Sequence, residues 1–329
     1  MLKRMNSLEK INQQIAPDRA RLNSLIDDTL LSSNDLLNHV IKTYLRTKGK
    51  QIRPILVILS ARLFGSVNDT VITAAAAVEL LHNATLIHDD VIDDTKMRRN
   101  KPTINGIWDN HIAVLTGDFF VSAALQLAVT TQDIRIVNSL AGLGKVLSLG
   151  EIDQIFNARF HRLTEEAYFN VIDHKTASLF VSCVEMGAFA SGCDDSRLEA
   201  LREFAKDLGR CFQIRDDIFD YYSVTEIGKP TGNDLREGKI TLPLLHVLET
   251  QKGEHNDKMI ELSRKEILET EEIEQLINYA IENGGIDYAR SVMQRLRNRA
   301  VTRLKAAFGS STEVGNFVEL IDFAISREM

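Results

Sequence analysis

The sequence predicts an all-α protein, and three observations support that reading. Only five prolines occur in 329 residues, and none lies between Thr103 and Lys229. That span is rich in Ala, Leu and Glu, residues that lose little side-chain freedom in a helix. Its apolar residues recur at helical spacing, with little of the alternation that marks a half-buried strand. Neither a linker nor a break in composition divides the chain, so residues 1–329 are expected to form a single domain.

Each element follows from local signals. Residues near 7–46 read as two helices broken at Ala16-Pro17-Asp18. Pro54 falls in the first turn of the next helix, where its missing N–H is tolerated, and that helix should run to Phe64 and stop at Gly65. Asn68-Asp69 offers good N-cap chemistry for a helix through Ala74–Ala77 and into the stretch ending Asp89-Asp90-Val91-Ile92-Asp93. Asn100 to Gly106 reads as a loop around Pro102. Helices are expected near 110–131, 133–158 and 165–191, the last ended by Gly192. Ser196 with Glu199 forms a capping box for a helix through Asp220. Gly and Pro density then rises from Ser223 to Gly238, a long loop of the kind that often bears function. Amphipathic helices follow near 240–251, 257–268, 271–283, 286–308 and 312–327.

The totals exclude several classes. With 39 basic and 46 acidic residues, net charge −7 and no basic tail, the chain is not expected to bind nucleic acid. No uninterrupted apolar run reaches the roughly 18 residues of a membrane span, and the N-terminus lacks the apolar core of a signal peptide. Cys183, Cys193 and Cys211 show no metal or disulfide spacing, and a cytoplasmic location is expected.

Charged residues supply the chemistry. Asp89 and Asp93 are one helical turn apart, with Asp90 beside them, and Asp216, Asp217 and Asp220 repeat the pattern far downstream. Carboxylates at a helix C-terminus oppose the helix dipole, so placing them there twice implies a bound cation. Oxygen ligands of this kind suit Mg²⁺, which takes one or two carboxylates, waters and phosphate oxygens. Lys50 and Arg53 can converge on one anion at a helix start. Arg98 and Arg99 point different ways and can serve two phosphate groups. Lys175 needs a partner in its apolar helix, and Lys229 and Lys239 flank the glycine-rich loop. His82, seven residues before Asp89, shares its helical face, whereas His88 reads as structural.

Taken together, these stretches resemble the trans-polyprenyl diphosphate synthases, particularly the octaprenyl, long-chain members. The resemblance covers about residues 45–250. It rests on Gly49-Lys50-Gln51-Ile52-Arg53-Pro54, His88-Asp89-Asp90-Val91-Ile92-Asp93 with Arg98-Arg99, and Lys175-Thr176-Ala177. Phe212-Gln213-Ile214-Arg215-Asp216-Asp217-Ile218-Phe219-Asp220 and Gly228-Lys229-Pro230-Thr231-Gly232-Asn233-Asp234-Leu235 with Glu237-Gly238-Lys239 complete it. Lys48-Gly49-Lys50 and Arg98-Arg99-Asn100 depart from the family's Gly-Gly-Lys and Arg-Arg-Gly without removing a ligand.

The resemblance implies an isoprenoid-synthase-type helical bundle around a deep central cavity, acting as a homodimer. It implies repeated Mg²⁺-dependent condensation of isopentenyl diphosphate with an allylic diphosphate such as farnesyl or geranylgeranyl diphosphate. By position, Asp89, Asp93 and Asp216 would be the main metal ligands, supported by Asp90, Asp217 and Asp220. Arg98, Lys175, Lys229 and Lys239 would hold the allylic diphosphate, and Lys50, Arg53, His82 and Arg99 the isopentenyl diphosphate. Thr176 and Gln213 would face the developing cation.

Product length is a matter of cavity depth. Short-chain members of the family carry bulky aromatics just before the first Asp, where this chain has Ala84 and Thr85. On a helical wheel Thr85 lies about 40° from Asp89 and Ala84 about 140° away, so the wheel favours Thr85 as cavity lining, while the family rule also stresses Ala84. A product of about C35–C45, octaprenyl favoured, is expected for a quinone side chain, with Leu81, Phe119 and Phe120 as candidates for the floor. The competing readings are a shorter-chain geranylgeranyl or farnesyl diphosphate synthase, a class I terpene cyclase, and a non-catalytic subunit of a heteromeric synthase. Asp216 to Asp220 argues against the cyclase, and the complete Asp and basic set against the inert subunit.

Overall fold

The structure is a computed structural model describing residues 7–46, 49–98, 101–160, 164–193, 196–222 and 231–326. It is all-α apart from one two-residue strand pair. The N-terminal stretch forms three helices where two were expected: α1 (Ser7–Gln14), α2 (Ala16–Thr29) and α3 (Asp35–Leu45). Pro17 lies in the first turn of α2, as its chemistry allows. The additional break arises because the Asn34 side chain accepts from the Leu37 N–H and opens a new helix.

Next come α4 (Ile52–Phe64) and α5 (Asp69–Ile92), the latter capped by Asn68, which accepts from the Val71 N–H. The expected loop near 100–106 contains structure: β1 (Met97–Arg98) pairs antiparallel with β2 (Lys101–Pro102), and α6 (Ile104–Ile107) follows. Thr103 closes this turn, accepting from the Gly106 N–H and donating to the Thr95 carbonyl. Then follow α7 (Asn110–Thr130), α8 (Ile134–Arg159), α9 (Glu165–Ile172), a π-turn (Asp173–Ala177), α10 (Ser178–Ala190) and α11 (Leu198–Phe219). The remaining helices are α12 (Asn233–Arg236), α13 (Leu242–Thr250), α14 (Glu254–Ser263), α15 (Thr270–Glu282), α16 (Gly285–Phe308) and α17 (Thr312–Ser326).

The helices group into two compact units, residues 1–144 with 182–199, and 145–181 with 200–329. In the first, α5 packs against α2, α4 and α7. Ala74–Ala77 are wholly buried, and small side chains let neighbouring helices come close. By length and composition alone, α5 and α7 could each cross a membrane; about two thirds of the most apolar stretch of α5 and under half of that of α7 are buried within the protein. In the second unit, Arg299 grips the buried Asp207 of α11, and Arg297 holds Asp322 of α17 through two hydrogen bonds of 2.8 and 3.1 Å.

Candidate active site

In the first unit the C-terminal turn of α5 presents the first Asp motif. Asp89 is half-buried, Asp90 buried and Asp93 exposed at the helix end. Burial raises the Asp90 carboxyl, and the Arg98 guanidinium beside it pulls the value back. Arg98 Nε donates to Asp90 Oδ1 at 2.8 Å, so β1 is tied to the motif. Asn105 Nδ2 also donates to the Asp90 carbonyl at 2.9 Å. His88 is docked rather than aimed at solvent chemistry: its Nε2 lies 3.3 Å from the Val114 carbonyl and 3.4 Å from Asp118 Oδ1, over Gly117 of α7. A Cβ at Gly117 would sit 2.2 Å from that nitrogen, so only glycine admits the ring there.

Upstream, Lys50 is exposed and Arg53 half-buried on either side of Gln51. Gln51 adopts a left-handed backbone, φ 52°, which costs a side-chain-bearing residue roughly 1–3 kcal/mol. Its carboxamide is anchored on α2, accepting from Arg19 at 2.9 Å and donating to Asn23 at 3.1 Å. His82 and Thr85 are half-buried on α5, the Thr85 hydroxyl donating to the His82 carbonyl, whereas Leu81 and Ala84 are buried. Phe120 is fully buried on α7, edge-on to Tyr44, and Phe119 is half-buried.

In the second unit the site is built on the π-turn between α9 and α10. Such a turn admits an extra residue into a helix and is common at functional sites. Here it presents Lys175 and Thr176. Asp173, at its start, accepts from Nε and Nη2 of Arg210 at 2.6 Å each, and Gly209 lets α11 approach Ala177 closely. The partner that a charge in this helix requires is Glu151 on α8, 2.5 Å from Lys175 Nζ, with Gln154 Oε1 at 3.4 Å. The Thr176 hydroxyl donates to Gln213 Oε1 at 2.8 Å, and Gln213 Nε2 donates to Asp217 Oδ1 at 2.7 Å. Asp217 Oδ2 accepts from the Tyr168 hydroxyl at 2.5 Å. Asp220 is engaged differently, because its two oxygens accept the N–H groups of Asn233 and Asp234 and so cap α12. Asp216 is half-buried on α11.

These side chains surround a cavity of about 180 Å³ lined by Tyr168, Lys175, Thr176, Gln213, Asp217 and Lys239, among others. Its wall is acidic as well as basic. Burial pushes the Asp217 carboxyl up to about 7, against the pull of its Tyr168 and Gln213 hydrogen bonds. Burial likewise drives Asp234 well above the usual carboxylate range, with Asp217 and Asp220 adding repulsion and Lys239 opposing them. Tyr168 is held protonated by burial and by the neighbouring Asp217 charge.

Of the residues singled out from sequence, the structure brings Lys175, Thr176, Gln213, Asp217 and Lys239 to one cavity. Arg99 and Lys229 lie outside the described residues. Among the described residues no three His, Cys, Asp or Glu side chains converge into a ready metal cage. The donor set nonetheless fits Mg²⁺, because that ion completes its shell with waters and substrate phosphate oxygens. Tyr168, Glu151 and Asp234 escaped the sequence reading. Asp234 stood within a quoted stretch, while Tyr168 and Glu151 belong to helices with no motif to mark them.

The family model for polyprenyl synthetase matches residues 34–280. Octaprenyl diphosphate synthase of Escherichia coli (strain K12) is 38% identical over 243 residues, 74% of this chain and 75% of the relative. A decaprenyl diphosphate synthase from Rhodobacter capsulatus superimposes with TM-score 0.91 at 31% identity, covering 98% of this chain and all of that one. A polyprenyl synthase from Caulobacter crescentus CB15, complexed with calcium and isoprenyl diphosphate, gives TM-score 0.90 at 33% identity, covering 99% of each chain. The fold and the site thus define a prenyltransferase of isoprenoid biosynthesis. The chain belongs to the polyprenyl synthetase family and is a polyprenyl diphosphate synthase.

Proposed function

We propose that this synthase elongates an allylic diphosphate, farnesyl or geranylgeranyl, with isopentenyl diphosphate to an all-trans product of about C35–C45, octaprenyl favoured, for a quinone side chain. The observation that supports it most is the Thr176–Gln213–Asp217 chain of hydrogen bonds beside Lys175 and Lys239 in one cavity. Oxygen dipoles sit there next to cations, as required where a diphosphate leaves and a carbocation forms.

When bound, Mg²⁺ neutralises the charge that grows on the departing diphosphate. Asp89, Asp93 and Asp216 would hold it. Asp217 bonds Tyr168 and Gln213, and Asp220 caps α12, which suits both to a supporting part. The Caulobacter neighbour, complexed with calcium and isoprenyl diphosphate, supports a divalent ion in this role. Arg98, Lys175, Lys229 and Lys239 grip the allylic diphosphate, Arg98 with the nitrogens that its Asp90 bond does not use. Lys50, Arg53, His82 and Arg99 hold isopentenyl diphosphate. The C–O bond of the allylic substrate breaks, its electrons leaving with diphosphate. The isopentenyl double bond then attacks the allylic carbon, and one proton is lost to the departed diphosphate.

The chain is proposed to work as one domain, since α8, α10 and α11 each run through a boundary between the two compact units. A homodimer is supported by Leu115, Leu125 and Val129, 64, 41 and 62% exposed along one face of α7. A cytoplasmic location is proposed with it. The deciding experiment incubates purified protein with Mg²⁺, isopentenyl diphosphate and farnesyl diphosphate, and sizes the dephosphorylated products. A ladder ending near C40 is expected, and no elongation would refute the reading.

A further inference from the structure

Tyr168 belongs to no motif, yet it reaches into the second one. The residue is only 8% exposed, and its hydroxyl donates to Asp217 Oδ2 at 2.5 Å. The other oxygen of that carboxylate accepts from Gln213 Nε2 at 2.7 Å. With its N–H group turned to Asp217, the Gln213 amide must offer its oxygen to Thr176, whose hydroxyl donates to it at 2.8 Å. An amide has one donor end and one acceptor end, so the orientation of Asp217 sets the polarity of the whole chain. Turned over, Gln213 would present N–H donors to the Thr176 side, the wrong sign beside a forming cation.

We infer that Tyr168 is a positioning residue: its hydroxyl pins the Asp217 carboxylate and, through it, orients Gln213 and Thr176 toward the developing allylic cation. This role rests on the elongation reaction proposed above. Asp217 is only 4% exposed and its two oxygens bond Tyr168 and Gln213, so its effect on the reaction is assigned to Gln213. Loss of the Tyr168 hydroxyl therefore slows the chemical step and leaves metal affinity alone.

Tyr168→Phe removes that hydroxyl and keeps the ring. With farnesyl and isopentenyl diphosphates, kcat should fall about 10- to 100-fold, the range for residues that support a reacting group from behind. Both KM values and the Mg²⁺ concentration for half-activation should stay within about threefold, since uniform binding is untouched. Asp217→Asn, which cannot serve Tyr168 and Gln213 together as the carboxylate does, should show the same split, whereas Asp216→Ala should raise the Mg²⁺ requirement. A merely structural role would lower the unfolding midpoint without lowering kcat per folded molecule. The role is overturned if kcat of Tyr168→Phe stays within twofold of wild type, or if its Mg²⁺ requirement rises about tenfold or more. Wild-type protein that fails to elongate overturns the reaction itself, a different result.

Discussion

Gly209→Ala tests how closely the π-turn rests on α11. A Cβ at Gly209 would lie 2.6 Å from Ala177 Cα, 3.0 Å from its Cβ and 3.3 Å from its nitrogen. Ordinary contact begins near 3.4 Å, so the π-turn and α11 must part by about 0.8 Å, and backbone cannot swing aside as a side-chain tip can. Overpacking of this kind costs about 1–3 kcal/mol, while alanine gains about 1 kcal/mol over glycine within a helix. Gly142, exposed in α8 with nothing within 4 Å of its added Cβ, takes the gain without the clash. In urea unfolding, Gly142→Ala should therefore be more stable than Gly209→Ala by about 1–3 kcal/mol. The same 0.8 Å would stretch the Thr176–Gln213 hydrogen bond from 2.8 Å to about 3.6 Å, which is no hydrogen bond. Misplacement on that scale near reacting groups lowers kcat by about 100-fold. Equal stability of the two variants, with kcat of Gly209→Ala unchanged, would refute the close approach and its part in catalysis.

Asp89→Ala and Asp216→Ala should each lower turnover by about 100-fold or more while the helical content holds; near-wild-type rates would remove their metal role. Thr85→Tyr and Ala84→Tyr should shorten the product ladder. Thr85 is the cleaner test because its side chain is only half-buried, whereas a tyrosine at the fully buried Ala84 also overpacks the core, and an unchanged ladder in both would sink the link between cavity depth and product length. Asp217 gives a pH dependence to the protein freed of divalent ions. Between the ordinary carboxylate value and about 7 the folded chain keeps a proton that the unfolded chain has released, so stability should rise as pH falls from 8 toward 5. Asp217→Asn should flatten that slope, and a slope left unchanged by Asp217→Asn would refute the raised Asp217 value.

Helix identity was legible because caps and breakers act within a few residues. Asn68 caps α5 through its side chain, and Gly65 ends α4 with its N–H on the Ala61 carbonyl. The break at Leu30–Asn34 has the same kind of cause, since Asn34 caps α3, but an asparagine marks a helix start less sharply than a proline does. The π-turn was not legible in the same way. One extra residue in a helix changes no composition, and it is held in place by Arg210 on Asp173 and by the bare backbone of Gly209, contacts separated in sequence by more than thirty positions.

The candidate site divides along the same physical line. Residues that would meet substrate or metal must be charged or polar in unfavourable places, such as carboxylates at a helix C-terminus or a lysine in an apolar helix, and that cost makes them visible. Residues that orient them need only fill space and offer one well-placed atom. Tyr168 looks like any buried aromatic until its hydroxyl is found 2.5 Å from Asp217, and Glu151 like any helix-face acid until it meets Lys175. Asp220 runs the other way. By pattern it is a third ligand of the second motif, yet its oxygens cap α12 and fix the chain entering that helix. If that is its main role, Asp220→Asn, which retains one accepting oxygen, should disturb turnover far less than Asp216→Ala, and equal losses would return Asp220 to the metal.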